Sequence, residues 1–240
     1  MRLDVWCKTD KGLRRETNQD SFLVNRDLGL FIVADGMGGH SGGEVASSMA
    51  VQTSEEVIRS LKSSPMSPRE KIHKLYEESS HRIFDKAAVE SLKLAGMGTT
   101  MVMMLADGES LYIGNVGDSR AYLFRRPHFW QLTEDHSLLN EQIRAGLIRE
   151  DQMRQFAGRN VITRSVGYER DVMVDVLERP LKSGDCFLLC SDGLSGLVTD
   201  VKIAEIMNKT PLEQVVDKCI EQALANGGDD NVTVLLLAVS

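Results

Sequence analysis

The sequence predicts an α+β layered fold, a sheet core covered by helices. Three observations predict it. Short apolar runs of strand length recur along the chain. Asp107-Gly108 and Gly117-Asp118 fall between successive runs at hairpin spacing, which predicts antiparallel neighbours. Helical periodicity is confined to long segments set apart from those runs, each with one apolar stripe.

The strand candidates are Phe22 to Asn25, Leu30 to Ala34, Thr99 to Ala106, Leu111 to Val116, Ala121 to Phe124, Val172 to Leu177, Cys186 to Cys190 and Val232 to Val239. Two helices are expected at Gly43 to Lys62 and Pro68 to Leu94, the second capped by Ser67 and carrying Ile72, Leu75, Tyr76 and Ile83 on one face. A later helix runs through Leu212, Val215, Val216, Cys219, Ile220, Ala223 and Leu224 and stops at Asn226-Gly227-Gly228. The segment from Glu134 to Gly167 is rich in charge and loses periodicity after Leu147; it reads either as a flap or irregular insertion or as a surface helix pair with a loop. There is no internal repeat and no low-complexity linker.

At 240 residues with 42% hydrophobic content, the chain can bury a full core as one domain or form two small ones, and one domain over 1–240 is the expectation. A net charge of -7 without any Lys/Arg-rich run argues against nucleic acid and anionic lipid as partners. The first residues lack the apolar core of a signal peptide, and no apolar run approaches the ~18 residues of a membrane span, so a soluble, cytoplasmic protein is expected. Cys7, Cys186, Cys190 and Cys219 have neither zinc spacing nor disulfide density and read as reduced, largely buried thiols.

The chemistry-bearing pattern is a set of aspartates at strand ends. "FIVADGMGGH" ends an apolar strand on Asp35 and follows it with Gly36, and "FLLCSDG" repeats the device at Asp192. Asp118 lies in "GNVGDSR", Asp229 and Asp230 precede the last strand, and Asp20 closes "RRETNQD" before "SFLV". Any one of these aspartates fits an ordinary turn. Together, in an antiparallel core, Asp35, Asp192 and Asp230 can reach one rim. Two carboxylates ~4 Å apart repel by ~4 kcal/mol at an effective dielectric of 20, a cost that divalent cations remove. Oxygen-only ligands favour Mg²⁺ or Mn²⁺ over zinc. Gly36 can offer its carbonyl to a metal held by Asp35, because no side chain obstructs it. Two such ions would clamp a phosphate and acidify a water, so phosphate ester hydrolysis is the implied chemistry. Arg15 reads either as a bidentate phosphate ligand or as a solvated surface charge. His40 reads either as a proton donor to a leaving alkoxide or as a helix cap or partner of Glu44.

Other phosphate chemistries fall on counting. A cysteine phosphatase needs Arg six positions after its nucleophile, and those positions are Leu13, Asp192, Gly196 and Ala225. There is no Asp-x-Asp pair for an aspartyl-phosphate enzyme and no P-loop. The glycines after Asp35 imitate a dinucleotide fingerprint, with Ser41 where a third glycine would sit, but the hairpin signals oppose a doubly wound sheet.

"RRETNQD", "ADGMGGHSGGEVAS", "MGTTMVMM", "IGNVGDSRAYL", "LTEDHSL", "NVITRSVG", "LLCSDGLSGLV" and "GGDDNVTVLLL", in this order, closely resemble the PPM family of metal-dependent serine/threonine protein phosphatases, also called protein phosphatase 2C-like, in its compact bacterial form. The resemblance runs almost end to end. It implies a central sandwich of two antiparallel sheets flanked by helix pairs, four layers α/β/β/α, with a binuclear Mn²⁺ or Mg²⁺ centre at one rim. It further implies that Asp35 bridges both metals, that Gly36 supplies a carbonyl to one, and that Asp192 and Asp230 bind the other. Asp20 would act through metal-bound water, Asp118 with Asp192 would hold a third, looser metal, and Arg15 would bind phosphate. Residues 134–167 correspond to the flap beside the cleft that influences substrate choice. Met37 stands where many eukaryotic members carry a histidine, and the histidine arrives at His40 as is usual for bacterial members.

The function expected is hydrolysis of phosphoserine and phosphothreonine in proteins by metal-activated water, without a covalent intermediate, by a monomer that opposes a serine/threonine kinase. The alternatives are a phosphoprotein-binding signalling module of the same fold and a phosphatase acting mainly on an anti-sigma-factor antagonist. Five aspartates set against two divalent cations and Arg15 leave the loaded site roughly neutral.

Overall fold

The computed structural model of the chain describes residues 2–38, 42–148, 156, 158 and 161–240. The chain runs through strands β1 (Leu3–Asp10), β2 (Asp20–Asn25) and β3 (Leu30–Met37), then helices α1 (Gly42–Ser60), α2 (Pro68–Val89) and the short α3 (Ser91–Leu94). Strands β4 (Gly98–Thr99), β5 (Met101–Asp107), β6 (Ser110–Val116), β7 (Arg120–Arg125) and β8 (His128–Gln131) follow, then α4 (Leu138–Arg144). The last part comprises β9 (Asp175–Pro180), β10 (Cys186–Cys190), the single turn α5 (Asp192–Ser195), α6 (Asp200–Lys209), α7 (Leu212–Ala225) and β11 (Val232–Val239).

The strands form two sheets, ordered β1-β11-β10-β7-β8 and β2-β3-β5-β6-β9, with β4 beside β3 and every strand pairing antiparallel. Their near-continuous apolar runs are explained by burial on both faces. On β3, Phe31 and Val33 point between the sheets, while Leu30, Ile32 and Ala34 point to the layer made by α1 and α2. On β11, Leu235, Leu237 and Val239 fill the space between the sheets, and Val234, Leu236 and Ala238 pack under α6 and α7. The result is the four-layer α/β/β/α sandwich. No helix among the described residues is long and apolar enough to cross a membrane.

Local signals act where they were expected. Ser67 caps α2 in a reciprocal box, its hydroxyl accepting from the Glu70 amide while the Glu70 carboxylate accepts from the Ser67 amide. The Asp107-Gly108 hairpin forms, with Asp107 opposite Ser110. Gly117-Asp118 does not close a hairpin. β6 lies between β5 and β9 in one sheet, and β7 lies between β10 and β8 in the other, so both edges of each strand are already taken. Gly117, at φ +103, lets the chain step across the sandwich instead.

Several elements escape a periodicity reading. β1 and β8 are edge strands with partial exposure, so their apolar alternation is diluted by charge and polar side chains. β9 is also an edge strand, and begins three residues later than Val172 because Val172 and Met173 remain outside the ladder. The long second helix breaks at Glu90 into α2 and α3. α6 carries Ile203, Ile206 and Met207 behind a Thr199 cap, a stripe too short to stand out. Within 134–167, the described residues form α4 behind a Ser137 cap, and 149–155, 157 and 159–160 lie outside the described residues.

Leu237 sits between the sheets, fully buried and paired with Val5 and Phe187 across the ladder. Leu237→Ala is expected to cost about 2–5 kcal/mol in denaturant unfolding. Val201→Ala, at an exposed α6 position, should change stability by no more than about 0.5 kcal/mol. Equal losses at the two positions would contradict this layering.

Candidate metal centre

The antiparallel register places Asp20 directly opposite Asp35 at one rim of the second sheet; β2 begins at Asp20, while β3 runs past the expected end at Ala34, through Asp35 to Met37, where Gly36 and Met37 pair with β4. At the matching rim of the first sheet, β10 ends just before Asp192 and β11 starts just after Asp230. The step from β6 to β7 delivers Asp118 between the two. Each aspartate is therefore placed at or near a strand terminus, and the two sheets bring all five to one end of the sandwich.

The glycine behind each strand-end aspartate is a packing requirement. A Cβ on Gly36 would stand 2.0 Å from the Gly43 carbonyl at the start of α1, and one on Gly193 would stand 1.9 Å from the Asn231 carbonyl. Backbone passes where a side chain would sit, which lets α1 and the start of β11 close on the acidic rim.

Asp20 is buried, and one of its oxygens is committed to the fold. Oδ2 accepts from Ser191 Oγ at 2.8 Å and from Thr233 Oγ1 at 2.6 Å. Thr233 is in turn 2.7 Å from Thr9 Oγ1, which accepts from the Asn18 amide at 2.8 Å, so hydroxyls of the first sheet hold a carboxylate of the second. On the neighbouring strand, the Asp35 amide donates to Thr100 Oγ1, which lies 2.7 Å from Ser119 Oγ, and the Asp35 carbonyl accepts from the Thr100 amide. Asn231 fastens the loop that carries Arg15. Its side chain accepts from the Gln19 amide and donates to the carbonyls of Lys11 and Thr17. Arg15 then meets Asp230 at 2.7 Å.

Electrostatically the rim is short of positive charge. Burial pushes Asp20 up to about 7, aided by the charges of Asp192 and Asp230 and opposed by the Thr233 and Ser191 hydroxyls. Burial likewise raises Asp118 to about 7, with Asp192 and Asp135 adding to it. Asp35 is held well above the usual carboxylate range by burial and by the charges of Asp20, Asp192 and Asp118. Asp192 is raised by burial and by Asp230, and it shares a hydrogen bond with Asp35 that lowers it in part. Carboxyls that retain protons near neutrality for want of a counter-charge are suited to bind cations.

The donor set fits a hard divalent ion. Asp20 Oδ1, Asp118 Oδ1 and Asp192 Oδ1 are buried without any hydrogen-bond partner among the described residues. Such oxygens are costly unless something else satisfies them. All the donors are oxygen, as Mg²⁺ and Mn²⁺ require. Among the described residues, no three His, Cys, Asp or Glu side chains are placed as a group that could hold a metal ion. The reason is visible in the contacts. Asp230 faces Arg15, Asp20 Oδ2 is held by hydroxyls, and Asp35 and Asp192 share a hydrogen bond.

The rim opens into a cavity of about 510 Å³ lined by Arg15, Gln19, Asp35, Gly36, Asp192 and Asp230, among others. A second concavity of about 620 Å³ shares Asp192 and Asp230 and adds Asp118, Arg120 and Asp135. Arg15, Asp20, Asp35, Gly36, Asp118, Asp192 and Asp230 are thus gathered, whereas His40 lies outside the described residues. Sequence reasoning missed the hydroxyl and amide layer of Thr9, Asn18, Thr100, Ser119, Ser191, Asn231 and Thr233. Five of these touch the quoted blocks "MGTT", "GDSR", "LLCSDG" and "GGDDNVT", so adjacency to a strand-end aspartate was the available signal.

The protein phosphatase 2C family profile matches residues 13–236. The serine/threonine phosphatase stp of Listeria monocytogenes serotype 4b (strain F2365) is 37% identical over 237 residues, covering 96% of this chain and 93% of its own length. The crystal structure of the Mycobacterium tuberculosis serine/threonine phosphatase PstP/Ppp superposes with a TM-score of 0.91 at 32% identity over 99% of both chains. The catalytic domain of the serine/threonine protein phosphatase PstP in complex with two manganese ions gives 0.86 at 32% identity, again over 99% of both chains. An acidic rim built from both sheets, a sandwich of the same topology and a profile spanning nearly the whole chain agree: this chain belongs to the protein phosphatase 2C family.

Proposed function

We propose that this chain is a metal-dependent phosphatase that removes phosphate from phosphoserine and phosphothreonine in proteins. The observation that carries the reading is the convergence of five aspartates at one rim, three with buried oxygens unpartnered among the described residues, with Asp35, Asp192 and Asp230 lining a cavity beside Arg15 and Asp118 lining the adjoining one. Asp35, the Gly36 carbonyl, Asp192 and Asp230 would hold two divalent ions, and Asp118 with Asp192 a third. When bound, the ions supply Lewis-acid contacts to phosphate oxygens and acidify a water for attack at phosphorus.

The chain's own residues supply the rest. Arg15 stands at the cavity wall with a guanidinium fork suited to two phosphate oxygens, and Asp230 holds it in place. Asp20, pinned through Oδ2, presents Oδ1 as a fixed acceptor. A thiol nucleophile finds no support: burial raises Cys7 and Cys219 to about 12 and Cys186 to about 11, and no cysteine lines the cavity. Hydrolysis by direct attack of water, without a covalent intermediate, is the reading these facts support.

We assign 1–240 to one catalytic domain with 134–167 as a flap, and we favour Mn²⁺ over Mg²⁺ because the PstP relative was solved with manganese. The remaining elements of the proposal are a cytoplasmic monomer, phosphoprotein substrates and a cognate serine/threonine kinase. They are supported by the acidic surface charge, the bacterial relatives and the lack of a membrane-length helix among the described residues.

Purified protein should hydrolyse a phosphothreonine peptide with Mn²⁺ and stop on EDTA addition. Asp192→Asn should lower the rate by more than about 100-fold, the upper end of what loss of an outer partner costs. A folded, Mn²⁺-loaded protein without turnover would refute the enzyme reading in favour of a phosphoprotein-binding module. Thr233→Val, which removes one hydroxyl from Asp20, should raise the Mn²⁺ concentration for half-maximal rate by about tenfold; an unchanged Mn²⁺ requirement would show that the hydroxyl layer does not support the site.

The proton affinities set a pH dependence for the metal-free protein. Asp20 and Asp118 have folded-state values raised from 3.8 to about 7, so the folded state binds protons more tightly than the unfolded chain. Their stabilisation is complete below about pH 4 and is lost as pH rises through 7. In EDTA, melting temperature should fall between pH 5.5 and 7.5, less steeply in Asp118→Asn. Added Mn²⁺ should raise it more at pH 7.5 than at 5.5. A melting temperature that climbs over this range in EDTA would count against the buried acidic cluster.

A further inference from the structure

His136, in the "LTEDHSL" block, is buried at 7% exposure and has no part in the chemistry above. Its contacts are specific. The Gly117 amide donates to His136 Nδ1 at 3.0 Å, and the His136 amide donates to the Gly117 carbonyl, also at 3.0 Å. Both polar groups of Gly117 thus meet His136, the carbonyl also accepting from the Asn115 side chain at 3.4 Å, and the next residue is Asp118. Because Nδ1 accepts an amide proton, the neutral ring must carry its own proton on Nε2. That edge lies 3.1 Å from Asp175 Oδ2 at the start of β9, which accepts its proton, and also 3.1 Å from Arg164 Nη1, which only donates and so makes no hydrogen bond to the protonated Nε2. Arg164 fixes Asp175 in turn, donating to Asp175 Oδ1 at 3.0 Å and to the Met173 carbonyl at 3.2 Å.

We infer that His136 is a positioning residue for the metal centre: through Nδ1 and its own amide it clamps Gly117 and so aims Asp118, while Asp175 accepts from Nε2 and fixes the ring's tautomer, and Arg164 holds Asp175. The inference rests on the proposed assignment of Asp118 to a metal. Its logic is that of outer partners which orient a ligand without touching the ion. The opposite flank of Asp118 is held independently by the Ser119 and Thr100 hydroxyls, so the turn is gripped from both sides. The arrangement also joins Asp118 to the segment after α4, since Arg164 and Asp175 bracket the chain that returns to β9.

Two side chains separate the ring's edges. Asparagine places an acceptor near the position of Nδ1, and glutamine places a donor near Nε2. Mn²⁺ binding to the full chain is measured by calorimetry, alongside Mn²⁺-dependent phosphatase rates and the melting temperature of the metal-free protein. His136→Gln is expected to weaken one class of Mn²⁺ sites about tenfold and to raise the Mn²⁺ requirement for turnover accordingly, whereas His136→Asn stays close to wild type. Equal isotherms for the two variants, both weakened or both intact, would overturn the clamp.

Asp118→Asn separates the two levels of the argument. If it leaves the isotherm unaltered, the assignment of Asp118 fails and the clamp with it. If it weakens binding and His136→Gln does not, the clamp alone fails. Should His136→Gln lose its melting transition, Asp175→Ala at a half-exposed site decides the matter. A smaller shift in the same direction supports the clamp, and an unchanged isotherm refutes it.

Discussion

The structure depends on crowding like charges where two sheets end together. A cross-strand pair of carboxylates such as Asp20 opposite Asp35 is destabilising on any surface, and here Asp118, Asp192 and Asp230 are added at the same rim. Burial amplifies the repulsion, and the chain answers it with shared protons, Arg15 and hydroxyl donors. Those answers are partial, since three carboxylate oxygens remain buried and unpartnered among the described residues. The fold holds the cluster because its apolar layers are strong enough to do so.

Those layers also determine the geometry. Asp192 and Asp230 belong to one sheet, Asp20 and Asp35 to the other, so the spacing across the site is set by Phe31, Val33, Leu235 and Leu237 between them. Precision at the rim follows from close packing some distance away. The hydrogen bonds from Ser191, Thr233 and Thr100 then correct the last fraction of an ångström by fixing particular oxygens and amides.

Much of this could be read from the chain before any coordinates. Strands buried on both faces, such as Cys186–Cys190 and Val232–Val239, were legible to the residue because every position but Thr233 is apolar. The aspartates were legible only as a set, since any one of them fits an ordinary turn but several at the ends of such runs meet at one rim. Two of the four edge strands were not: β1 interleaves charge with its apolar residues, and β8 is four residues long. The Gly117-Asp118 step was misread as a hairpin because local sequence reports a turn but not which sheet the next strand joins. The hydroxyl layer was invisible for a similar reason, since Thr9, Ser191 and Thr233 acquire meaning only once β1, β10 and β11 lie side by side.

The relay from Asn18 through Thr9 and Thr233 to Asp20 has a direction. The Asn18 side-chain NH2 donates to Thr9, and because Thr233 gives its proton to Oδ2 it must accept from Thr9, so each hydroxyl passes its proton onward. The carboxylate is thereby divided, with one oxygen belonging to the scaffold and the other buried and unpartnered among the described residues. It cannot swivel to follow a ligand, and any group that binds it must come to it. Asp20 therefore serves as a fixed fence post beneath the acidic rim, anchored on the opposite sheet and indifferent to what the rest of the substrate looks like.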